Sequence, residues 1–314
     1  MIKETKNKII LEIKKSAEKF EIDFEFVYKT YFYLSKGGKK ILFTESMPET
    51  TSALSYRITE NKFLTNKFLK KNSFPMQAME QYSDMDHAVK FLSKHKKIVI
   101  KPAQGIHGKG ITVGIEDSKQ LSEAINFAQK NDPYGKVLLE AFCDGDDFRV
   151  LVIGRKKVFV SKREPAFIIG NGKADIGNLI DLRNQKLIER YRIKKDDLVK
   201  KNLKELGYSF SSILEEKEKV YLKKTANIKG GGTASDFTDK ISDTIRNAAI
   251  EISNNLKMDV LGIDVITEDI SSDKFKVIEV NAYPGILLHI YPVYGKSYNV
   301  ADEIVKYFFL KEEF

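Results

Sequence analysis

"LGIDVITEDISSDKFKVIEVNAYPG", residues 261–285, holds two apolar runs of strand character joined by a polar turn, and each run carries an acid where a packed sheet favours Val or Ile. Side chains alternate across a strand, so Glu279 and Asn281 share a face. A turn at Ser271-Ser272 sets Asp264 opposite Glu279, with Cβ atoms about 4.5–5.5 Å apart, where like charges repel. Something positive must sit between them. Two carboxylates and an amide oxygen, with no His or Cys beside them, form a hard oxygen site for Mg²⁺, which completes its shell with water and substrate phosphates. The competing reading is a salt-bridged surface hairpin. The flanks "VLGI" and "KVIEV" favour the metal, because buried unpaired carboxylates are costly.

Working outward, residues 1–20 have helical spacing, and "FEFVYKTYFYL", "KGGKK" and "ILF" predict one hairpin turning at Gly37-Gly38. Helices are predicted over 61–71 and 84–94, then strand "KIVIKP", a glycine loop, strand "ITVGI", a helix over 118–130 and strand "KVLLEAF". "FRVLVIG" and "KVFVSKREPA" pair around Gly154-Arg155. Residues 174–218 read as helical and charged, followed by "KVYLKK", a second glycine loop and a helix over 239–256. Hairpins mixed with helices argue for an α+β fold.

"IVIKPAQGIHGKGITVGI" ends a strand at Lys101 and places Gly105, Gly108 and Gly110 in a short loop whose N–H groups can approach phosphate. Walker A would require Gly at Ala103 and Ser or Thr at Gly110, followed by a helix, so this is not a P-loop. Lys109 and His107 accompany the glycines; solvent exposure is the simpler fate for His107. Gly230 to Gly232 form a second loop that reads as a flexible cover or as a plain turn. "VLLEAFCDGDDFRVLVIG" reads as a strand entering a hinge, where adenine could stack with its edge on the backbone of Ala141 to Cys143, or as an ordinary turn. Arg149 and Arg163 emerge from apolar strands; a transferring phosphoryl group or a structural ion pair would satisfy each.

Composition narrows the class. Of 314 residues, 53 are Lys or Arg and 44 Asp or Glu, a net charge of +9, but the basic residues are scattered as pairs. No basic cluster or reading motif supports a nucleic-acid partner. The single cysteine, Cys143, excludes an internal disulfide and suits a reducing compartment; it reads as a small buried hydrophobe. Neither a signal sequence nor a membrane span is legible, so a cytoplasmic, soluble chain without membrane partners is expected. A homodimer is the base-rate expectation.

In order, "TTSALSYRITENKFLTNKFLKKNSFP", "VIKPAQGIHGKGITV", "LLEAFCDGDDFRVLVIG", "KREPAFIIGNGKADIGNLI", "KKTANIKGGGTASDFTD", "GIDVI", "IEVNAYPGILLH" and "NVADEIV" resemble the ATP-grasp superfamily, most closely its module in cyanophycin synthetase and the bifunctional glutathione synthetases. The resemblance runs from about Thr51 to Phe308. It implies two α+β lobes clasping ATP: a short N-terminal segment over 1–50, a small lobe with the glycine loop over 51–138, and a large lobe with the metal site over 139–314. It further implies that Lys62 and Lys101 bind the α and β phosphates, that Gly105 to Gly110 close over them, and that Glu140, Ala141, Phe142 and Cys143 hold adenine with Asp147 near the ribose. Asp264, Glu279 and Asn281 would carry Mg²⁺, with Mn²⁺ an allowed substitute. Arg163 would neutralise the transferring phosphoryl, and Asn227 would sit by the γ phosphate.

The implied activity is an ADP-forming carboxylate-amine ligase acting through an acyl phosphate on an amino acid or small peptide. Cyanophycin synthetase carries a further ligase domain after this module and the glutathione enzymes a glutamate-cysteine ligase before it; neither is expected here, so the product is not copied from them. The rival readings are a phosphotransferase on the same scaffold and a silent nucleotide-binding module. His289, after "NAYPGILL", is expected either to reach the substrate or to be a packed surface histidine.

Overall fold

A computed structural model describes residues 5–104, 109–226 and 228–310. The chain divides into one unit of residues 1–160, 237–291 and 297–314, and a second of 161–236 and 292–296.

In the first unit, Asn7 caps helix α1 (Lys8–Lys19), its Oδ1 accepting from Ile9 N at 2.9 Å, and Ile10, Ile13 and Ala17 face inward. Strands β1 (Asp23–Tyr28), β2 (Tyr31–Lys36), β3 (Lys39–Thr44) and β4 (Met47–Pro48) follow as an antiparallel meander. The predicted Gly37-Gly38 turn is present, with φ of +58° and +79° as a type I′ turn requires. The run before it is not one strand. It reverses at Lys29-Thr30, with Lys29 at φ +54°, a turn that carries none of the Gly, Pro or Asn marks by which turns are read.

Helix α2 (Ala53–Glu60), absent from the sequence reading, is capped by Ser52, and α3 (Lys62–Lys71) by Asn61, each cap contributing about 1 kcal/mol. Next come β5 (Met79–Gln81), α4 (Met85–His95), β6 (Ile98–Pro102), β7 (Thr112–Ile115), α5 (Leu121–Lys130) and β8 (Val137–Ala141). These strands form an antiparallel sheet of order β5-β8-β6-β7, whose core includes Ile98, Ile100, Leu121, Ala128 and Leu139. Strand β9 (Asp146–Ile153) turns at Gly154-Arg155, both with positive φ, into β10 (Lys157–Glu164), which begins in the first unit and ends in the second.

The second unit holds β11 (Phe167–Ile169), α6 (Ile176–Gln185), α7 (Asp197–Glu205), β12 (Lys219–Tyr221) and β13 (Thr233–Asp236). Its core is Ile168, Ile176, Ile180, Val199, Leu203, Leu214 and Leu222. Helix was expected across 174–218, but α6 and α7 are separated by a stretch without α-helix over 186–196, and α7 ends at Glu205: Gly207 takes φ +82°, and the Ser212 hydroxyl accepts from Ser209 N–H in the turn that follows.

The chain returns to the first unit with α8 (Asp243–Leu256), β14 (Val260–Thr267), β15 (Lys276–Asn281), α9 (Leu287–Ile290) and α10 (Val300–Phe309). Strand β14 lies between β9 and β15, antiparallel to both. Alternation divides this sheet cleanly. Phe148, Val150, Leu261 and Ile263 enter the core under α8, whereas Leu151, Ile153 and Val260 enter the core shared with α1 and α10. The antiparallel hairpins with helices laid against them are the α+β class predicted.

Candidate functional site

Asp264 pairs with Glu279 across β14 and β15, the register expected from the sequence, and Gly262 pairs with Asn281. A bulge follows immediately, so that Val265 pairs with Val277. The bulge interrupts the regular ladder beside the two acids, a common device for re-aiming side chains at a site.

The required positive partners are side chains of the same unit. Arg149 lies opposite Asp264 on β9, and its Nε donates to Asp264 Oδ1 at 2.6 Å; the two side chains are 9% and 12% exposed. Of the two readings for Arg149, the ion pair is the one the structure supports. Lys62, buried at the first turn of α3, places Nζ 3.4 Å from Glu279 Oε1. Glu279 is 29% exposed, so the hairpin is asymmetric: β14 is buried, and β15 is partly open.

Close approach is made possible by Gly262. A Cβ there would come within 2.7 Å of Pro284 Cβ and 3.1 Å of an Arg149 guanidinium nitrogen. Gly262→Ala is therefore expected to lower unfolding free energy by about 1–3 kcal/mol through overpacking and to displace Arg149 from Asp264. A denaturant melt that matched the unsubstituted chain would contradict this packing account.

Asn281 adds a further sign of an absent ligand. Its Nδ2 is buried without a hydrogen-bond partner. A half-turn of the amide puts Oδ1 in that position instead, where with one oxygen from each acid it offers a hard cation three oxygen donors. Among the described residues no group of three His, Cys, Asp or Glu is placed to hold a metal. The donor set fits Mg²⁺.

Lys101 is buried at the end of β6, and its Nζ meets Glu140 Oε2 on β8 at 2.5 Å. The backbone N–H of Lys62 donates to Ala103 O at 3.3 Å, which ties the start of α3 to the strand end that enters the glycine loop. Lys109 is exposed and Gly110 buried, with φ +77° and Asn131 against the space a Cβ would need. Gly105, His107, Gly108 and Asn227 lie outside the described residues.

At the hinge, Ala141 N–H donates to Ala78 O and Phe142 N–H to Lys97 O, while both carbonyls accept from Gln77 Nε2. The Cys143 N–H is the hinge donor that these bonds leave over. Cys143 is half-buried, not the enclosed hydrophobe expected, and burial raises its thiol pKa. Asp147 is half-buried opposite Ile266. Arg163 belongs to the second unit, opposite Ala234 on β13, which continues from Gly230 to Gly232. His289 is 3% exposed, so it is packed inside and not at the surface.

The ATP-grasp domain pattern matches residues 59–285, most of the chain. The chain belongs to the ATP-grasp family. It is 30% identical over 311 residues to the glutathione biosynthesis bifunctional protein GshAB of Clostridium perfringens, covering 93% of this chain and 40% of that one. It is 39% identical over 226 residues to cyanophycin synthetase of Crocosphaera subtropica, covering 68% of this chain and 26% of that one. The ATP-grasp fold is also seen in the crystal structure of a bifunctional glutathione synthetase from Pasteurella multocida, with a TM-score of 0.72, 24% identity, and coverage of 96% of this chain and 43% of that one. The chain thus spans less than half the length of these relatives.

One residue beside this candidate site escaped the sequence reading, and the partner of another could not be read from it. Gln77, which holds the hinge carbonyls, sits in an unremarkable extended run. Arg149 was noticed, but its pairing with Asp264 depends on the register between β9 and β14, strands more than a hundred residues apart in the chain. No described helix is long and apolar enough to cross a membrane.

Proposed function

We propose that this ATP-grasp chain is an ATP-dependent, ADP-forming carboxylate-amine ligase, with an amino acid or small peptide among its substrates. The observation that carries the reading is that one unit holds Lys62, Asp264, Glu279 and Asn281, with the Lys62 ammonium 3.4 Å from Glu279 and the buried Nδ2 of Asn281 without a hydrogen-bond partner. A cation and an ammonium beside oxygen donors suit a triphosphate.

Lys62 and Lys101 would bind phosphate oxygens, each leaving a carboxylate that now neutralises it, and the Cys143 N–H would meet the adenine edge. Asp264, Glu279 and Asn281 would hold Mg²⁺, whose contribution is to neutralise charge on the phosphates. A carboxylate oxygen of the acid substrate attacks the γ phosphorus, and the bond to the β–γ bridging oxygen breaks, releasing ADP. The amine nitrogen then attacks the acyl carbon, inorganic phosphate departs, and the amine loses a proton. Arg163 would offset charge on the transferring group. Arg149 holds Asp264 in place and is not free for phosphate.

Phosphate release from Mg-ATP, measured against pools of amino acids and short peptides, tests the reading. Release that needs both a carboxylate and an amine, with an acyl hydroxamate appearing when hydroxylamine replaces the amine, is expected. Phosphate transfer to an acceptor without a hydroxamate would establish a phosphotransferase instead. ATP binding without release in any pool would favour the silent module.

A further inference from the structure

The second unit carries most of the chain's charge: residues 161–236 and 292–296 contain 18 Lys and Arg against 11 Asp and Glu, +7 of the total +9. Several of its acids are already paired, Glu164 with Lys219, Asp181 with Lys195, Asp196 with Lys223 and Glu205 with Lys224. A concentrated positive field of this kind draws anions.

Arg183 is one of the half-buried bases of this unit. It lies in the last turn of α6, and among the described residues no acid is within ion-pair distance of it. Its guanidinium has two long bonds to neutral carbonyls, Nη1 to Tyr191 O at 3.3 Å and Nη2 to Gly231 O at 3.5 Å, and stands 5.6 Å over the Phe167 ring. Burial lowers its pKa, and only the neighbouring Tyr294 acts the other way. Arg149 and Arg155, by contrast, each hold an aspartate at 2.6 and 3.0 Å. Five N–H donors and a full charge are poorly satisfied by two distant carbonyls.

The position matters as much as the charge. Gly231 has φ +92° and packs against Ile193, with no room for a Cβ, so this part of the loop is held close to Arg183. Three residues later Ala234 pairs with Arg163. Gly231 turns and strand begins only at Thr233, so at about 3.3 Å per extended residue Arg183 contacts the chain at most about 10 Å from the partner of Arg163. That separation suits a second functional group on an amino-acid- or dipeptide-sized substrate whose reacting end lies near Arg163.

We infer that Arg183 forms an anion subsite beside Gly231 that receives a substrate carboxylate other than the one being activated. This deepens the ligase reading and rests on it. Arg183 would fix which acid or amine is accepted, and Arg163 would serve the reaction itself.

The probe is glutarate, titrated into the intact chain at constant ionic strength and read by calorimetry and by the thermal midpoint. Saturable binding is expected in the unsubstituted chain, about 10-fold weaker binding in Arg183→Lys, which keeps the charge but loses the planar fork, and none in Arg183→Met. Mg-ATP affinity should be the same in all three. Once substrates are known, Arg183→Met should raise KM for one of them by about 100-fold with little change in kcat. Equal glutarate binding in the unsubstituted chain and Arg183→Met, or none in the unsubstituted chain, overturns the inference. So does a parallel fall in glutarate and Mg-ATP affinity in both variants, which would mark Arg183 as a structural clamp. If Arg183→Met does not fold, Arg183→Lys decides. Glutarate binding without phosphate release from any pool would instead count against the ligase reading alone.

Discussion

Glu279→Gln is expected to reduce Mg²⁺-dependent phosphate release by about 100- to 1,000-fold, the loss that follows removal of one pre-positioned charge contact in a transition state. The substitution keeps the shape of the side chain and removes its charge. A metal shared by Asp264 and Asn281 would then lose one of two carboxylates, and Lys62, now 3.4 Å from Glu279, would lose a negative charge beside it. Stability should change little, because the new amide oxygen can still accept from Lys62, whose own side chain is only 7% exposed. The distinguishing measurement is a Mg²⁺ titration of the initial rate at saturating ATP. A requirement displaced to higher Mg²⁺, with the unfolding midpoint unchanged, supports a metal held by this hairpin. Unchanged rate and unchanged Mg²⁺ dependence would remove Glu279 from the site.

Arg149→Leu acts on the same hairpin in the opposite way, through stability first. It removes the guanidinium from which Asp264 accepts at 2.6 Å, and breaking a buried pair from one side costs about 3–5 kcal/mol. Asp264 side-chain exposure is 12%, so little water can take the place of the guanidinium. The double substitution Arg149→Leu with Asp264→Asn should recover most of that loss in urea unfolding, since a neutral amide needs no counter-charge. A loss within about 1 kcal/mol, or no recovery in the double variant, would show that the pair contributes little to holding Asp264 in the sheet.

Much of this architecture is legible because its determinants are local. The hairpin from Val260 to Asn281 follows from alternation and a polar turn, and its register at the acids follows from where the turn falls. The Gly37-Gly38 and Gly154-Arg155 reversals carry glycine where φ must be positive. Where the local mark is missing, the reading fails: Lys29 turns the chain without glycine, and Ser52 starts a helix that the next cap, Asn61, conceals. Charged composition predicted helix to residue 218, yet Gly207 and the serines after it end the helical stretch earlier.

By itself the sequence determined that the protein pairs Asp264 with Glu279 on a buried hairpin, sets Asn281 on the same face, and flanks a glycine loop with Lys101 and Gly110, all in ATP-grasp order. Alternation and turn chemistry operate over a few residues, so these need no knowledge of the rest of the chain. The tertiary structure alone decided which cations answer those acids: Arg149 for Asp264, Lys62 for Glu279 and Lys101 for Glu140. It also decided that, among the described residues, carbonyls and not a carboxylate meet Arg183. Charge pairing in a sheet depends on which strands become neighbours, and that is settled by burial of the whole apolar surface and not by any segment's own pattern.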